Sequence, residues 1–210
     1  MQHNHETPQL SATTLLILER EGHECQVFVL KRQNRGGFLQ DALVFPGGVV
    51  GEKDYGTDVD PVRAAAVREI AEETGLQIEI DALHPFSWWL TPECEKRRFD
   101  TRFFAAPYPA SQIPVINSAE SEWGRLLAPS EILTLHEQGE ARLVPPTLLT
   151  LERICGLITF KDVLSKAHHL HAPICPQLQT NPTGERCLAL PEGSGLSRTH
   201  FKISNEGRFS

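Results

Sequence analysis

Three carboxylates, Glu69, Glu72 and Glu73, stand at spacings i, i+3 and i+4 in the run Arg68-Glu69-Ile70-Ala71-Glu72-Glu73-Thr74-Gly75. On a helix, which turns about 100° per residue, they share one arc of roughly 100°. Ala64, Val67, Ile70 and Ala71 occupy the opposite arc, where they can pack on a sheet. Like charges at this spacing repel by roughly a few tenths of a kcal/mol per pair. A divalent cation reverses that sign, because Mg²⁺ prefers hard oxygen ligands and keeps waters that substrate phosphates can replace. The competing reading is a solvated acidic face on which Arg68 simply pairs with Glu72 one turn on.

The elements around this run are legible from residue type and period. Asp60-Pro61 supplies an N-cap and a first-turn proline, strong helix formers follow from Ala64 to Thr74, and Gly75 stops the helix. Upstream, Ser11–Leu18 and Gln26–Lys31 read as strands joined by a turn over Glu19–Glu24. A basic loop, Arg32–Gly37, leads to Ala42-Leu43-Val44-Phe45 and then Pro46-Gly47-Gly48, a tight turn at which backbone can approach a ligand. Downstream, Ile78–Ile80 reads as a short strand, Phe86–Leu90 and Phe99–Ala105 as two longer ones, and Pro129–Gln138 and Pro146–Leu164 as helices. From His168 onward proline and glycine are frequent, which predicts an irregular tail with one short strand at Cys187–Leu190. Strands flanking a central helix imply α/β class, a mixed sheet packed between helices. Residues 1–10 are expected to be a flexible terminus and residues 11–210 one domain with a C-terminal helical and irregular extension.

Composition narrows the function. A net charge of −7, with Lys96-Arg97-Arg98 as the one dense basic run, argues against a nucleic-acid polymer as ligand. The five cysteines are odd in number and scattered, so a disulfide framework is not expected and a reducing compartment fits better. Residues Met1–Leu10 contain no apolar signal core, no apolar run is long enough to span a bilayer, and the C-terminal Gly-Arg-Phe-Ser is not a peroxisomal tripeptide address. A cytoplasmic location, with no membrane partner, is the expectation.

The turn Phe45-Pro46-Gly47-Gly48-Val49 followed by a helix running from Arg68 through Glu69, Glu72, Glu73 and Gly75 to Leu76 resembles the Nudix box. The interval from Gly48 to Arg68 is about six residues longer than usual, with the excess placed in Gly51–Asp58. The glutamate found midway in the box is replaced by Asp60 or Asp58, of which Asp60 is better explained as the helix cap. The resemblance spans roughly Ser11 to Leu135. It implies the Nudix α/β/α sandwich with a mixed central sheet, dependence on Mg²⁺ or Mn²⁺, and hydrolysis of a nucleoside diphosphate linked to another group. Carried onto these residues, it implies Glu72 and Glu73 as metal ligands and Glu69 as a ligand or the base that deprotonates the attacking water. Arg68 would orient the carboxylates, and the carbonyl of Gly48 would complete the metal shell. Glu120 or Glu122 would supply a later-loop carboxylate, unless that loop is merely solvated.

The long box, Trp89-Leu90-Thr91-Pro92 and Arg97–Phe104 together resemble a narrower subgroup, that of the mammalian peroxisomal coenzyme-A diphosphatase and its bacterial relatives; the absent address points to the bacterial type. That resemblance implies coenzyme A or acyl-coenzyme A as substrate. The alternatives are a nucleoside diphosphate sugar, ADP-ribose or a dinucleotide, or a nucleotide-sensing module without catalysis. Nudix relatives are often homodimers, which is a further expectation. Arg32, Arg35, Arg97 and Arg98 are candidates for substrate phosphates, against solvent-facing loops. Phe45 is a further substrate-binding candidate, and Trp88, Trp89, Phe99 and Phe103 suit base stacking or, for most, the core. His168, His169, His171 and Cys175 lack a structural-zinc spacing and read better as helix-end or loop residues.

Overall fold

The computed structural model describes residues 7–33, 41–56, 58–168, 172–180, 184–192, 196–203 and 209. Strand β1 (Gln9–Leu18) lies centrally, parallel to β6 (Phe99–Pro107) in an unbroken register from Gln9↔Phe99 to Ile17↔Pro107. Its other edge is shared. β2 (Gln26–Arg32) pairs antiparallel at Ile17 and Leu18 only, and β4 (Gly47–Val49) takes the N-terminal half at Ser11, Ala12 and Thr13. The two-residue β3 (Leu43–Val44) and β7 (Ser121–Leu127) flank β2, while β5 (His84–Leu90) closes the far edge on β6. With one parallel pair among antiparallel ones, the seven strands described form the expected mixed sheet.

Alternation along β1 and β6 sends side chains to two faces. Ala12, Leu16, Phe104 and Ala106 meet Val62, Ala65, Ala66 and Ile70 of helix α1 (Pro61–Thr74). Leu15, Ile17, Phe103 and Ala105 belong to the larger opposite core, which α2 (Pro129–Glu137), α3 (Pro145–Ile154) and α4 (Phe160–Ser165) cover. Carboxylates of the β1–β2 turn fasten that side: Glu24 accepts from Gly156 N–H at 2.7 Å, and Glu19 accepts from the Phe160 N–H at the start of α4. Phe45 is 3% exposed in this core, so it does not serve as a substrate contact. Trp89 and Phe103 are core residues as well.

Several elements differ from expectation. β1 begins at Gln9, because Gln9 and Leu10 pair with Phe99 and Asp100. No strand forms at Ile78–Ile80: the Gln112 side-chain amide bonds both Gln77 N–H and Gln77 C=O at 2.8 Å, in place of a neighbouring strand, and a 3₁₀ turn follows at Ile80–Ala82. The helix expected over Pro146–Leu164 breaks after Ile154, where Gly156 takes φ +76° and Thr159 caps α4 through Asp162 N–H. In the tail, the strand expected at Cys187–Leu190 is present as β9 (Arg186–Ala189), and two unexpected strands, β8 (Gln177–Thr180) and β10 (His200–Lys202), pair with it in an antiparallel sheet. Among the described residues no helix is long and apolar enough to cross a membrane.

Candidate active site

Helix α1 starts where the sequence places it. The Asp60 carboxylate accepts from Val62 N–H at 3.1 Å, a cap worth about 1 kcal/mol, and Gly75 ends the helix at φ +70°. Its polar face lies over the glycine turn that opens β4. The Gly47 N–H donates to Glu73 Oε2 at 2.9 Å. A methyl group on Gly48 would stand 2.3 Å from the Glu69 carboxylate carbon, so the bare glycine is what lets that carboxylate lie against the strand. Gly47 has the opposite neighbour: a Cβ there would meet the Ala12 carbonyl oxygen at 2.3 Å.

Arg68 ties the assembly together. Its Nε and Nη2 donate to the two oxygens of Asp54 at 2.8 Å each, and Nη2 also donates to the Val49 carbonyl at 2.9 Å. Nη1 donates to Glu69 at 2.5 Å and to Glu72 at 2.9 Å. Asp54 is 3% exposed and ends a 3₁₀ turn over Glu52–Asp54 whose N-cap, Gly51, donates its N–H to Oδ2. The carboxylate facing Arg68 is therefore neither Asp58, which is exposed, nor Asp60, which caps the helix. The signal for Asp54 was its place six residues after Gly48; it puts the added length between Asp54 and α1. Lys53, also unforeseen, pairs with Glu72.

The three glutamates differ in environment. Glu73 is buried at 4% exposure, and its pKa is raised to about 8, first by burial and then by the negative Glu69 and Glu120, while the Gly47 N–H and Arg32 oppose the rise. Burial also raises Glu69 against the pull of Arg68. Glu72 is exposed, and its hydrogen bond from Lys53 lowers its pKa. Glu120 bears on buried Glu73 and half-buried Glu69, whereas Glu122 is held by Lys31 at 3.0 Å. The loop carrying Glu120 is anchored to the helix through Asn117, whose N–H donates to the Glu73 carbonyl at 3.0 Å and whose Nδ2 donates to Glu120 at 3.2 Å. Asn117 was not singled out from sequence, because only the fold brings it beside α1.

The arginine candidates separate. Arg32 is close enough to Glu73 to oppose its pKa rise. Arg98 is 8% exposed and donates to the Thr91 carbonyl at 3.1 Å, bracing the β5–β6 turn, so it is not available to a substrate. Arg97 lies over the Phe99 ring at 5.4 Å, and Arg35 lies outside the described residues. His168 donates its N–H to the Phe86 carbonyl, and its imidazole pKa is pushed down to about 4, by burial and then Arg153; His169 and His171 lie outside the described residues.

As the side chains stand, no three Asp, Glu, His or Cys groups among the described residues are gathered closely enough to hold an ion. Glu69 and Glu72 are instead turned to Arg68 and Lys53. The donor chemistry still suits a hard cation. All the side-chain donors are carboxylates, the Gly48 backbone lies against one of them, and the mutual repulsion of Glu69, Glu73 and Glu120 is relieved by positive charge.

The NUDIX domain family model matches residues 8–146. The Caenorhabditis elegans protein named "Putative nudix hydrolase 7" is 28% identical, with 72% of this chain and 63% of that protein covered. The chain thus spans less than two thirds of that relative. A NUDIX hydrolase from Alicyclobacillus acidocaldarius superposes with a TM-score of 0.68 at 21% identity, covering 76% of this chain and 96% of its own. A MutT NUDIX hydrolase from Burkholderia pseudomallei gives 0.54 at 19% identity, covering 71% and 99%. These two structures show the shared fold.

Proposed function

Because this chain belongs to the NUDIX domain family, we propose that it is a pyrophosphohydrolase that cleaves the diphosphate linkage of a nucleoside diphosphate derivative with a divalent cation. The observation that carries the reading is the placement of Glu69 and Glu73 of α1 directly against the Gly47-Gly48 turn. Glu69, Glu72, Glu73, Glu120 and the Gly48 carbonyl would hold Mg²⁺ or Mn²⁺. When bound, such an ion offsets diphosphate charge and lowers the pKa of coordinated water. Glu69, which lies in the space a side chain on residue 48 would fill, would either join the ion's ligands or take the proton of the attacking water. Arg68, locked by Asp54 and the Val49 carbonyl, fixes the direction of the Glu69 and Glu72 oxygens. Arg32 would offer positive charge to a substrate phosphate. Water adds to one phosphorus, the bridging oxygen leaves with the other, and two phosphate monoesters result.

For the substrate, coenzyme A or acyl-coenzyme A is our first choice, on the resemblance of the Trp89–Pro92 and Arg97–Phe104 stretches. A panel of coenzyme A, ADP-ribose and a nucleoside diphosphate sugar, with Mg²⁺ or Mn²⁺, tests it. Release of 4′-phosphopantetheine supports the assignment; release of a sugar phosphate alone refutes it in favour of the second reading.

A further inference from the structure

Beside the glutamates, the sheet carries a second cluster on the same face. The pairings Gly48↔Ala12, Ala12↔Arg102 and Arg102↔Trp88 set Gly48, Ala12, Arg102 and Trp88 in one row across β4, β1, β6 and β5. Since Ala12 and Phe104 face α1, alternation puts Arg102 and Asp100 on that face too. Neighbouring strands lie about 4.8 Å apart, so Arg102 is about 10 Å and Trp88 about 14 Å from Gly48. That reach is comparable with the span from the diphosphate to the base of a nucleoside diphosphate.

The three side chains of the cluster interlock. The Arg102 guanidinium lies 3.5 Å from the centroid of the Trp88 ring, Trp88 Nε1 donates to Asp100 Oδ1 at 2.6 Å, and the same oxygen stands 3.5 Å from Arg102 Nε. Helix α1 ends its cover of this strip at Phe104, over which Arg63 lies at 5.6 Å. Beyond it Arg102 keeps 38% of its side chain exposed, and Leu10, paired with Asp100 on the same face, is also 38% exposed. A free cation would select phosphate; here Asp100 already balances Arg102. What is left is a delocalised, partly apolar platform, which suits the face of a planar heteroaromatic ring.

We propose that Trp88 and Arg102, held in register by Asp100, form the nucleobase subsite of the substrate whose diphosphate lies at Glu69 and Glu73. The inference rests on the hydrolase reading above and adds to it the place and chemistry of base recognition. Binding of ADP and of inorganic pyrophosphate to the Mg²⁺-loaded full chain, followed by calorimetry, tests it. Trp88→Ala and Arg102→Gln are each expected to weaken ADP by roughly tenfold, about 1.4 kcal/mol, through lost stacking, and to leave pyrophosphate unchanged. Trp88→Phe, which keeps a ring but loses the bond to Asp100, is expected to bind ADP more weakly than the wild type and more tightly than Trp88→Ala. That result separates stacking from a purely structural role. Unchanged ADP affinity in both Trp88→Ala and Arg102→Gln overturns the proposal. So does equal weakening of ADP and pyrophosphate, which would make the cluster a phosphate site, or a change of oligomeric mass in the variants without a change in ADP affinity. A wild type that takes up neither ligand overturns the hydrolase reading as well.

Discussion

Replacing Glu73 by Gln should stabilise the metal-free protein at alkaline pH while abolishing its activity. The carboxyl of Glu73 has an ordinary value of 4.5 and is raised to about 8 in the fold. For an acid shifted upward, the folded state binds the proton more tightly than the unfolded chain. The associated stability is fully present below pH 4.5 and is lost as pH rises through about 8. At about 1.4 kcal/mol for each tenfold change in proton affinity, the loss across this window is roughly 3–5 kcal/mol. The glutamine side chain keeps an acceptor for the Gly47 N–H and has no proton to lose. Urea unfolding in EDTA at pH 5, 6.5 and 8 would show the difference between variant and wild type growing in favour of the variant. Adding Mn²⁺ at pH 8 should restore the wild type by RT ln(1 + [Mn²⁺]/Kd) and do little for Glu73→Gln. Parallel pH curves for the two proteins would refute the reasoning, because they would mean that Glu73 ionises as readily folded as unfolded.

Further predictions follow from the same geometry. Gly48→Ala should leave the fold intact and cut turnover by about a hundredfold, because the added methyl displaces the movable Glu69 carboxylate; Gly47→Ala, which strikes the Ala12 carbonyl, should instead lower the thermal midpoint. Asp54→Asn should cost about 3 kcal/mol in unfolding free energy by leaving the Arg68 guanidinium short of its buried partner. Asn117→Ala, by freeing Glu120, should weaken Mn²⁺ binding about 10–100-fold in calorimetry, whereas Glu122→Gln should leave it unchanged.

The helical half of the site was legible because a helix imposes its own geometry: once Asp60, Pro61 and Gly75 bound the segment, the relative directions of Glu69, Glu72 and Glu73 follow. Their differences were not legible, since burial of Glu73 and exposure of Glu72 depend on where the helix crosses β4 and β1. Asp54 was hidden by a spacing argument that placed the extra residues too early in the box. Phe45 and Arg98 looked available as residue types, yet one faces the core and the other braces a turn. Of the C-terminal sheet only β9 was legible, as the short strand expected at Cys187–Leu190. Its partners β8 and β10, of four and three residues, carry too little period to be recognised by themselves.

The central claim is that carboxylates of α1 grip a divalent cation beside the Gly47-Gly48 turn. Titrating Mn²⁺ into the metal-stripped protein and counting bound ions by electron paramagnetic resonance tests it without any substrate. The account predicts at least one tightly bound Mn²⁺ in the wild type and none in a Glu69→Gln/Glu73→Gln double variant that keeps its circular dichroism. Equal Mn²⁺ uptake by both proteins would place the ion elsewhere and contradict the account.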